Sequence, residues 1–492
     1  MSAFDEIRNT RIQKLEKIRA SGMDPYPISS NQDFELAHVI KNFEKLSKSK
    51  KKEYSLVGRV RALRPQGGLI FFHFSDGTAK FQALLKKGEG ISDDAFDLFF
   101  NTVDIGDFVE VSGTLFITKR EEKTVQVTSW KMLSKSLRPL PEKWHGLTDV
   151  EDRFRKRYLD TLMNEEVRNR FLLRAKLITE IRTILDTSGY IEVETPVLQP
   201  LYGGASAEPF KTHHNALDSD LFLRISDELY LKRLLAGGFP KVYEIARDFR
   251  NEGIDTTHNP EFTMLEFYES YSDAPKQMAF VEVMFKTLVK NVLPDGKLVW
   301  NEDIIDTTSK FAVVTFYDLL RRHALISNPE SITHSEAAIT AQRLGVGVDS
   351  GDGLDKILDN IYKKTCRPKL IQPTFIIDYP VNYLPLAKKK IGDETVVDAF
   401  QLVIGGTELV KAFSELNDPL DQRARFENQE KKKTEGDAEA QPLDEDFLEA
   451  MEYGIPPAGG VGIGIDRLTM LFTNMKNIKE VILFPTLKPK NE

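Results

Sequence analysis

Cysteine is almost absent. Cys366 is the only one in 492 residues, which excludes an intrachain disulfide and any zinc site built on paired cysteines. That scarcity fits a reducing cytosol, and equally a low-cysteine protein elsewhere. The sequence has no apolar run of about 18 residues, and its N-terminus lacks a signal-peptide pattern. A cytoplasmic chain without a membrane partner is therefore the expectation. Residues 346–356, VGVDSGDGLDK, are glycine-rich but miss the P-loop spacing, and GxGxxG is missing there too. Positive charge is not in excess either: 67 Lys and Arg face 75 Asp and Glu, for a net charge of −8. This argues against a protein that coats nucleic acid along its length, DNA included, and leaves room for a local basic patch.

What is present describes a soluble globular chain long enough for two or three domains, 41% hydrophobic and 29% charged. Residues 1–22 read as a helix with Ile7, Ile12, Leu15 and Ile18 on one stripe. Two prolines, Pro25 and Pro27, break it. The lysine-rich stretch KLSKSKKKEY follows, a solvated surface or a phosphate-backbone contact. From Ser55 to Leu133 five short strands and one helical piece, DDAFDLFFNTV, predict an OB-fold barrel. Barrels of this kind bind single-stranded nucleic acid by stacking and basic groups. Phe72, Phe74 and Phe81, with Arg59, Arg61 and Arg64, are the candidates, although strand aromatics also serve as core. Pro139 and Pro141 mark a linker. The expected division is a helical extension at 1–54, the barrel at 55–137, a linker at 138–148 and a second domain at 149–492.

The second domain opens on a long helical stretch with Leu172, Ala175, Ile178, Ile181 and Leu185 as its stripe and Gly189 as its stop. The alternating strand IEVETPVLQP ends at Pro196. Adjacent His213 and His214 point to opposite faces of a strand and read as structural. Ser226 or Asp227 is the N-cap candidate for a helix opening at Glu228. The centre of the chain is Val242 to Tyr271, two strands around the turn IDTTHN. Strand parity puts Arg250 and Glu252 on one face of the first strand, and Phe262, Met264, Glu266 and Tyr268 on one face of the second. A guanidinium, carboxylates and aromatic rings on one surface exceed what a structural hairpin needs, because half-buried charges must be paired. Further on, Lys411, Phe413 and Glu415 share a strand face. EKKKTEGDAEAQ reads as a charged solvent loop, and Asp444 to Gly454 as a capped helix. The glycines before Asp466 and Arg467 allow a strand to come close to a ligand.

The stretch FRNEG followed by HNPEFTMLEFY resembles motif 2 of class II aminoacyl-tRNA synthetases, in the form of the bacterial lysyl-tRNA synthetases. Residues 165–200 are similar to motif 1, 273–372 to the insertion between motifs 2 and 3, and 456–475 to motif 3. The resemblance covers nearly the whole chain. It implies an α+β fold, with an N-terminal OB-fold anticodon-binding barrel and a catalytic domain whose antiparallel sheet is flanked by helices. It implies a homodimer that uses ATP and Mg2+ to attach L-lysine to tRNA(Lys). Carried over by position, Arg250 contacts the α-phosphate and Arg467 the γ-phosphate, these two being the catalytic candidates. Phe262 stacks on adenine, Glu252 sits near its amino group, and His258, Asn259 and Glu408 assist ATP. Gly204, Glu228, Glu266, Tyr268, Lys411, Phe413 and Glu415 form the lysine pocket, and Glu408 with Gln401 the metal site. Arg59, Phe72, Phe74 and Phe81 become anticodon candidates.

Two positions depart from the family pattern. Gln401 stands where a second metal-ligand acid is expected, which leaves the number of Mg2+ ions open. Lys411 stands where Asn is expected. It either pairs with the substrate carboxylate or turns away, and activity is expected to survive both changes. Three alternatives have other consequences. An aspartyl or asparaginyl synthetase would need cations where Glu228 and Glu266 stand. A paralogue that lysylates a protein would not need the barrel. A non-catalytic RNA-binding scaffold would not need Arg250, Glu252, Phe262 and Arg467.

Overall fold

A computed structural model describes residues 3–51, 53–141, 147, 149–349, 351–434 and 441–490. Contacts divide the chain into two compact units, Met1–Thr148 and Asp149–Glu492. Most of the expected linker falls on residues 142–146 and 148, outside the described residues.

In the first unit the strands Tyr54–Gln66, Leu69–Ser75, Lys80–Lys87, Phe108–Ile117 and Lys123–Ser134 close on themselves. Leu69–Ser75 pairs with both of its sequence neighbours, and Lys80–Lys87 runs parallel to Lys123–Ser134 to complete the ring. The helix Asp93–Thr102, capped by the Ser92 hydroxyl, sits between the third and fourth of these strands in the chain, as an OB-fold requires. The N-terminal helix Ala3–Ala20 is held to the barrel by Arg11, which donates to the carbonyls of Ile105, Ser136 and Arg138.

Alternation in Leu69–Ser75 corrects the stacking candidates. Phe72, Phe74 and Phe81 are at most 2% exposed, and their rings pack on one another and on Phe43 and Phe99. Their faces are spent on the core. The outer face of the same strand carries the half-buried Phe71 and His73, and Phe71 is paired in register with the exposed Arg64. Arg59 lies over the Phe108 ring at 4.3 Å.

The second unit is built on an eight-stranded sheet. It is antiparallel except at its two edges, where Ile191–Glu192 and Ala312–Thr315 pair in parallel. Inside the edge strand Ile191–Glu192 comes the hairpin Lys241–Phe249 with Glu261–Ser270, followed by Ala458–Gly464, Thr407–Ser414 and Ala399–Ile404. Parity divides the second hairpin strand: Leu265 and Phe267 join a core with the helices Glu165–Thr187, Ala274–Val292 and Ile465–Phe472, while Met264, Glu266 and Tyr268 face a cleft.

Several expected boundaries shift. The long N-terminal helix of this unit is three helices, Val150–Arg155, Arg157–Met163 and Glu165–Thr187. Its buried stripe is Leu177, Ile181 and Leu185, while Leu172 is 60% exposed and Ala175 exposed. The motif 1 strand shrinks to the pairs Ile191–Glu192 and Leu198–Gln199. The region 273–372 gives the sheet an edge strand and the cleft a wall, the helix Leu354–Ile361. The first residues of the charged stretch continue the helix Pro419–Thr434, and 435–440 lie outside the described residues.

Phe74→Ala should therefore lower the stability of the barrel by about 3–5 kcal/mol, read as a lower urea midpoint of the full chain. Normal stability with weakened RNA binding would return Phe74 to a stacking role.

Candidate active site

The cleft on the open face of the sheet encloses about 570 Å³. One end is acidic and buried. The helix Glu228–Ala236 brings Glu228 and Lys232 one turn apart onto the same face, and Glu415 directly follows the strand Thr407–Ser414. Lys232, 1% exposed, makes ion pairs with both carboxylates and lies 5.3 Å from the Phe413 ring. Burial works against its charge, yet the two carboxylates outweigh it and raise the ammonium's pKa. A bridging cation of this kind is what two buried acids require.

Glu266 has no such cation. Its carboxylate accepts from the Ser226 and Tyr268 hydroxyls, both at 2.8 Å. Asp227, Asp248 and Glu266 place carboxylate oxygens within 4.8 Å of one another, all buried. Arg224 partly compensates them, 3.4 Å from Asp248 and 2.7 Å from Glu244. Burial first, then the charges of Glu228 and Asp248, push the Glu266 carboxyl up to about 8. Burial likewise raises Asp248, to about 6. The Asp227 side chain makes no cap to the helix; Ser226 does, accepting from the Glu228 N–H at 3.2 Å.

Backbone close approach shapes this end. A Cβ on Gly460 would stand 2.0 Å from Glu415 Oε1 and 2.4 Å from Tyr268 Cε1, so no larger residue fits between those side chains. Gly204, at φ +86°, lies against Ser226 and Glu228 in the same way, and its N–H donates to Gln441 at 3.1 Å.

The other end is cationic and less buried. The first hairpin strand stops at Phe249, so Arg250 and Glu252 stand on the loop and not on a strand face. The Arg250 N–H still continues the ladder, donating to Pro260 O at 2.9 Å. Its guanidinium lies 5.0 Å from the Phe262 ring and donates to Ile225 O. Glu252 lines the cleft in an exposed position. Asn259 is buried and donates to Glu261 O at 2.6 Å. Arg467 opens the helix Ile465–Phe472 and donates to His258 Nε2 at 2.9 Å. His258 Nδ1 in turn meets Asp255 at 2.8 Å.

Lys411 projects into the cleft, accessible to solvent though ringed by protein. Burial lowers its pKa despite Glu408, Glu228 and Asp359 nearby. A register slip between Leu402 and Val403 turns Glu408 onto the cleft side as well. Gln401 does not fit the metal-ligand role. Its Oε1 already accepts from the Tyr379 hydroxyl at 2.7 Å and the Tyr362 hydroxyl at 3.4 Å, a buried arrangement that ligation would break.

With this geometry the comparisons are specific. Residues 149–488 match the family "tRNA synthetases class II (D, K and N)", and 54–133 the "OB-fold nucleic acid binding domain". The chain is 46% identical over 490 residues to a lysine–tRNA ligase of Roseiflexus sp., covering 99% of this chain and 100% of that one. It is 44% identical over 489 residues to the enzyme of Pelotomaculum thermopropionicum, covering 99% and 96%. A lysine–tRNA ligase 2 of Methanosarcina acetivorans is 43% identical over 486 residues, covering 99% and 94%. The chain belongs to the class II lysine–tRNA ligase family.

The lysine-pocket candidates Gly204, Glu228, Glu266, Tyr268, Lys411 and Phe413 line one cleft with Arg250, Glu252, His258, Asn259, Phe262, Gln401, Glu408 and Arg467; Glu415 does not line it and is paired with the buried Lys232. Sequence reasoning missed Lys232, Asp248 and Gln441. The four-residue spacing from Glu228 offered a signal for Lys232, and parity with Glu244 one for Asp248. Gln441 comes from a distant loop and offered none.

An unfolded glutamate ionises near its ordinary value, while native Glu266 keeps its proton up to about 8. Between the two the folded chain binds more protons, so stability falls as pH rises. Glu266→Gln, a neutral isostere, should flatten that fall and exceed wild type by about 1–3 kcal/mol near pH 8.5. Urea unfolding across pH would check this; parallel curves for the two proteins would sink it.

Proposed function

We propose that this chain activates L-lysine with ATP, forming lysyl-adenylate and pyrophosphate, and then transfers lysine to the 3′-terminal adenosine of tRNA(Lys). The observation that carries this reading is the excess of buried carboxylate at one end of a cleft whose other end is cationic. An amino acid with a side-chain ammonium neutralises such a pocket, and an acidic one would worsen it. Glu228, Glu266 and Glu415 receive the substrate's ammonium groups, while Tyr268 and Phe413 flank its aliphatic stem. Ligands lacking the ammonium leave the excess of carboxylate at this end unmatched and are rejected.

The carboxylate of lysine attacks the α-phosphorus, the bond to the β-phosphate oxygen breaks, and pyrophosphate leaves. Arg250 orients the α-phosphate and Arg467 the γ-phosphate, with Phe262 offering adenine a ring face. His258 and Asn259 order the loop, and Glu252 lies where an adenine amino group can be read. The family implies Mg2+ with ATP, and Glu408 is the cleft carboxylate that fits one ion. When bound, that ion supplies charge neutralisation of the phosphates.

The barrel would read the anticodon on its outer face, with Phe71, Arg59 and Arg64 replacing the buried phenylalanines as the stacking and phosphate-binding groups. A homodimer through the segment 165–200 would cover Leu172. Among the described residues no helix is long and apolar enough to cross a membrane.

Amino-acid-dependent exchange of pyrophosphate into ATP, run against the twenty amino acids without tRNA, tests the reading. Lysine alone should support exchange, and Glu415→Gln should raise the KM for lysine by about 100-fold. Exchange with aspartate or asparagine would overturn the pocket assignment.

A further inference from the structure

The strand pairing sets Lys411 directly between Gln401 on one side and Gly462 on the other. Neither neighbour brings a charge. Gln401 is neutral and its oxygen is engaged by Tyr379 and Tyr362, and glycine has no side chain. Lys363, a lysine of the same cleft, is paired with Asp359 at 2.6 Å. Among the described residues Lys411 has no carboxylate within ion-pair distance, although Glu408, Glu228 and Asp359 are close enough to act on its charge. The Glu408 carbonyl accepts from Arg467 at 3.5 Å, which ties this part of the strand to the arginine assigned to phosphate. Lys411 is solvent-accessible in the cleft, so with no acid paired to it the ammonium is open to an anionic ligand that enters there.

We propose that the Lys411 ammonium is a fixed cation for the phosphates of ATP, occupying the role of a divalent ion that Gln401 cannot hold. The proposal rests on the synthetase reading above. A lysine at this place is set in the cleft by its strand's register and adds one positive charge without a metal-binding equilibrium. It therefore binds phosphate as a point charge, where an arginine would impose a planar fork. The site then retains the ion that Glu408 fits and dispenses with a second held through Gln401.

Calorimetric titration of the full-length protein with ATP in EDTA, and separately with L-lysine alone, reads the inference without turnover. Lys411→Met should weaken metal-free ATP binding by at least about tenfold while lysine affinity stays within about twofold of wild type. Counting Mn2+ bound with a non-hydrolysable ATP analogue should find fewer ions per wild-type site than in the Gln401→Glu/Lys411→Asn double variant. Unchanged metal-free ATP binding in Lys411→Met would overturn the proposal. So would a loss confined to lysine affinity, which would assign the ammonium to the amino-acid carboxylate. Equal Mn2+ counts would overturn it as well. Failure of the synthetase reading is separately visible, because wild-type protein would then not bind lysine.

Discussion

Everything at the inner end of the cleft depends on one buried ammonium. Lys232 sits between Glu228 and Glu415 with almost no solvent contact, and without it two carboxylates would share a dry pocket with nothing to hold them ionised. Yet the compensation is incomplete. Asp227, Glu228, Glu244, Asp248, Glu266 and Glu415 are all buried, against Arg224 and Lys232 as the buried cations of the group. The remaining negative charge is either protonated or waiting for a ligand. Such a pocket destabilises the empty protein, and binding sites tolerate this because the ligand removes the penalty.

The sheet makes that arrangement possible by bringing backbone where side chains would obstruct. Gly460 lies within van der Waals range of Glu415 and Tyr268 only because it has no Cβ. Its strand pairs with Thr407–Ser414 on one side and with Glu261–Ser270 on the other, so one glycine sets the spacing of two functional strands. Asp466, at the end of the same segment, accepts from the Thr263 N–H at 2.7 Å and from Arg174 at 2.6 Å. The cleft strands are thus fixed from below by the helix Glu165–Thr187. Register, and not only packing, carries the site.

How much of this was legible in the sequence depended on the range of the interaction. Parity in Glu261–Ser270 correctly separated Met264, Glu266 and Tyr268 from Leu265 and Phe267, because strand alternation is local. The Asp444 cap of the helix Glu445–Glu452 was legible for the same reason. Parity failed where the chain left the ladder: Arg250 and Glu252 lie beyond the end of a strand that sequence alone extended too far. Phe72, Phe74 and Phe81 were misread because an alternating strand reveals which residues share a face, but not which face is inside. Gln401 and Lys411 were visible as departures from a family pattern, whereas their direct opposition required the register slip at Leu402 and Val403.

The cationic end follows a matching logic. Arginine only donates, so the contact from Arg467 requires His258 Nε2 to carry no proton, which puts the ring proton on Nδ1 toward Asp255. The burial of Asp255 raises its carboxyl, but hydrogen bonds from Thr257 and His258 outweigh this and hold it down to about 2. The loop therefore engages Arg467 through a ring nitrogen of His258. Phosphate oxygens make stronger, charge-assisted bonds to a guanidinium than an imidazole nitrogen does. The loop thus orders the arginine and leaves it exchangeable, whereas a carboxylate in the place of His258 would hold the same cation more tightly. Acids that lack cations at one end and cations held by weak partners at the other make a cleft whose electrostatics are completed only by a ligand that is cationic at one end and anionic at the other.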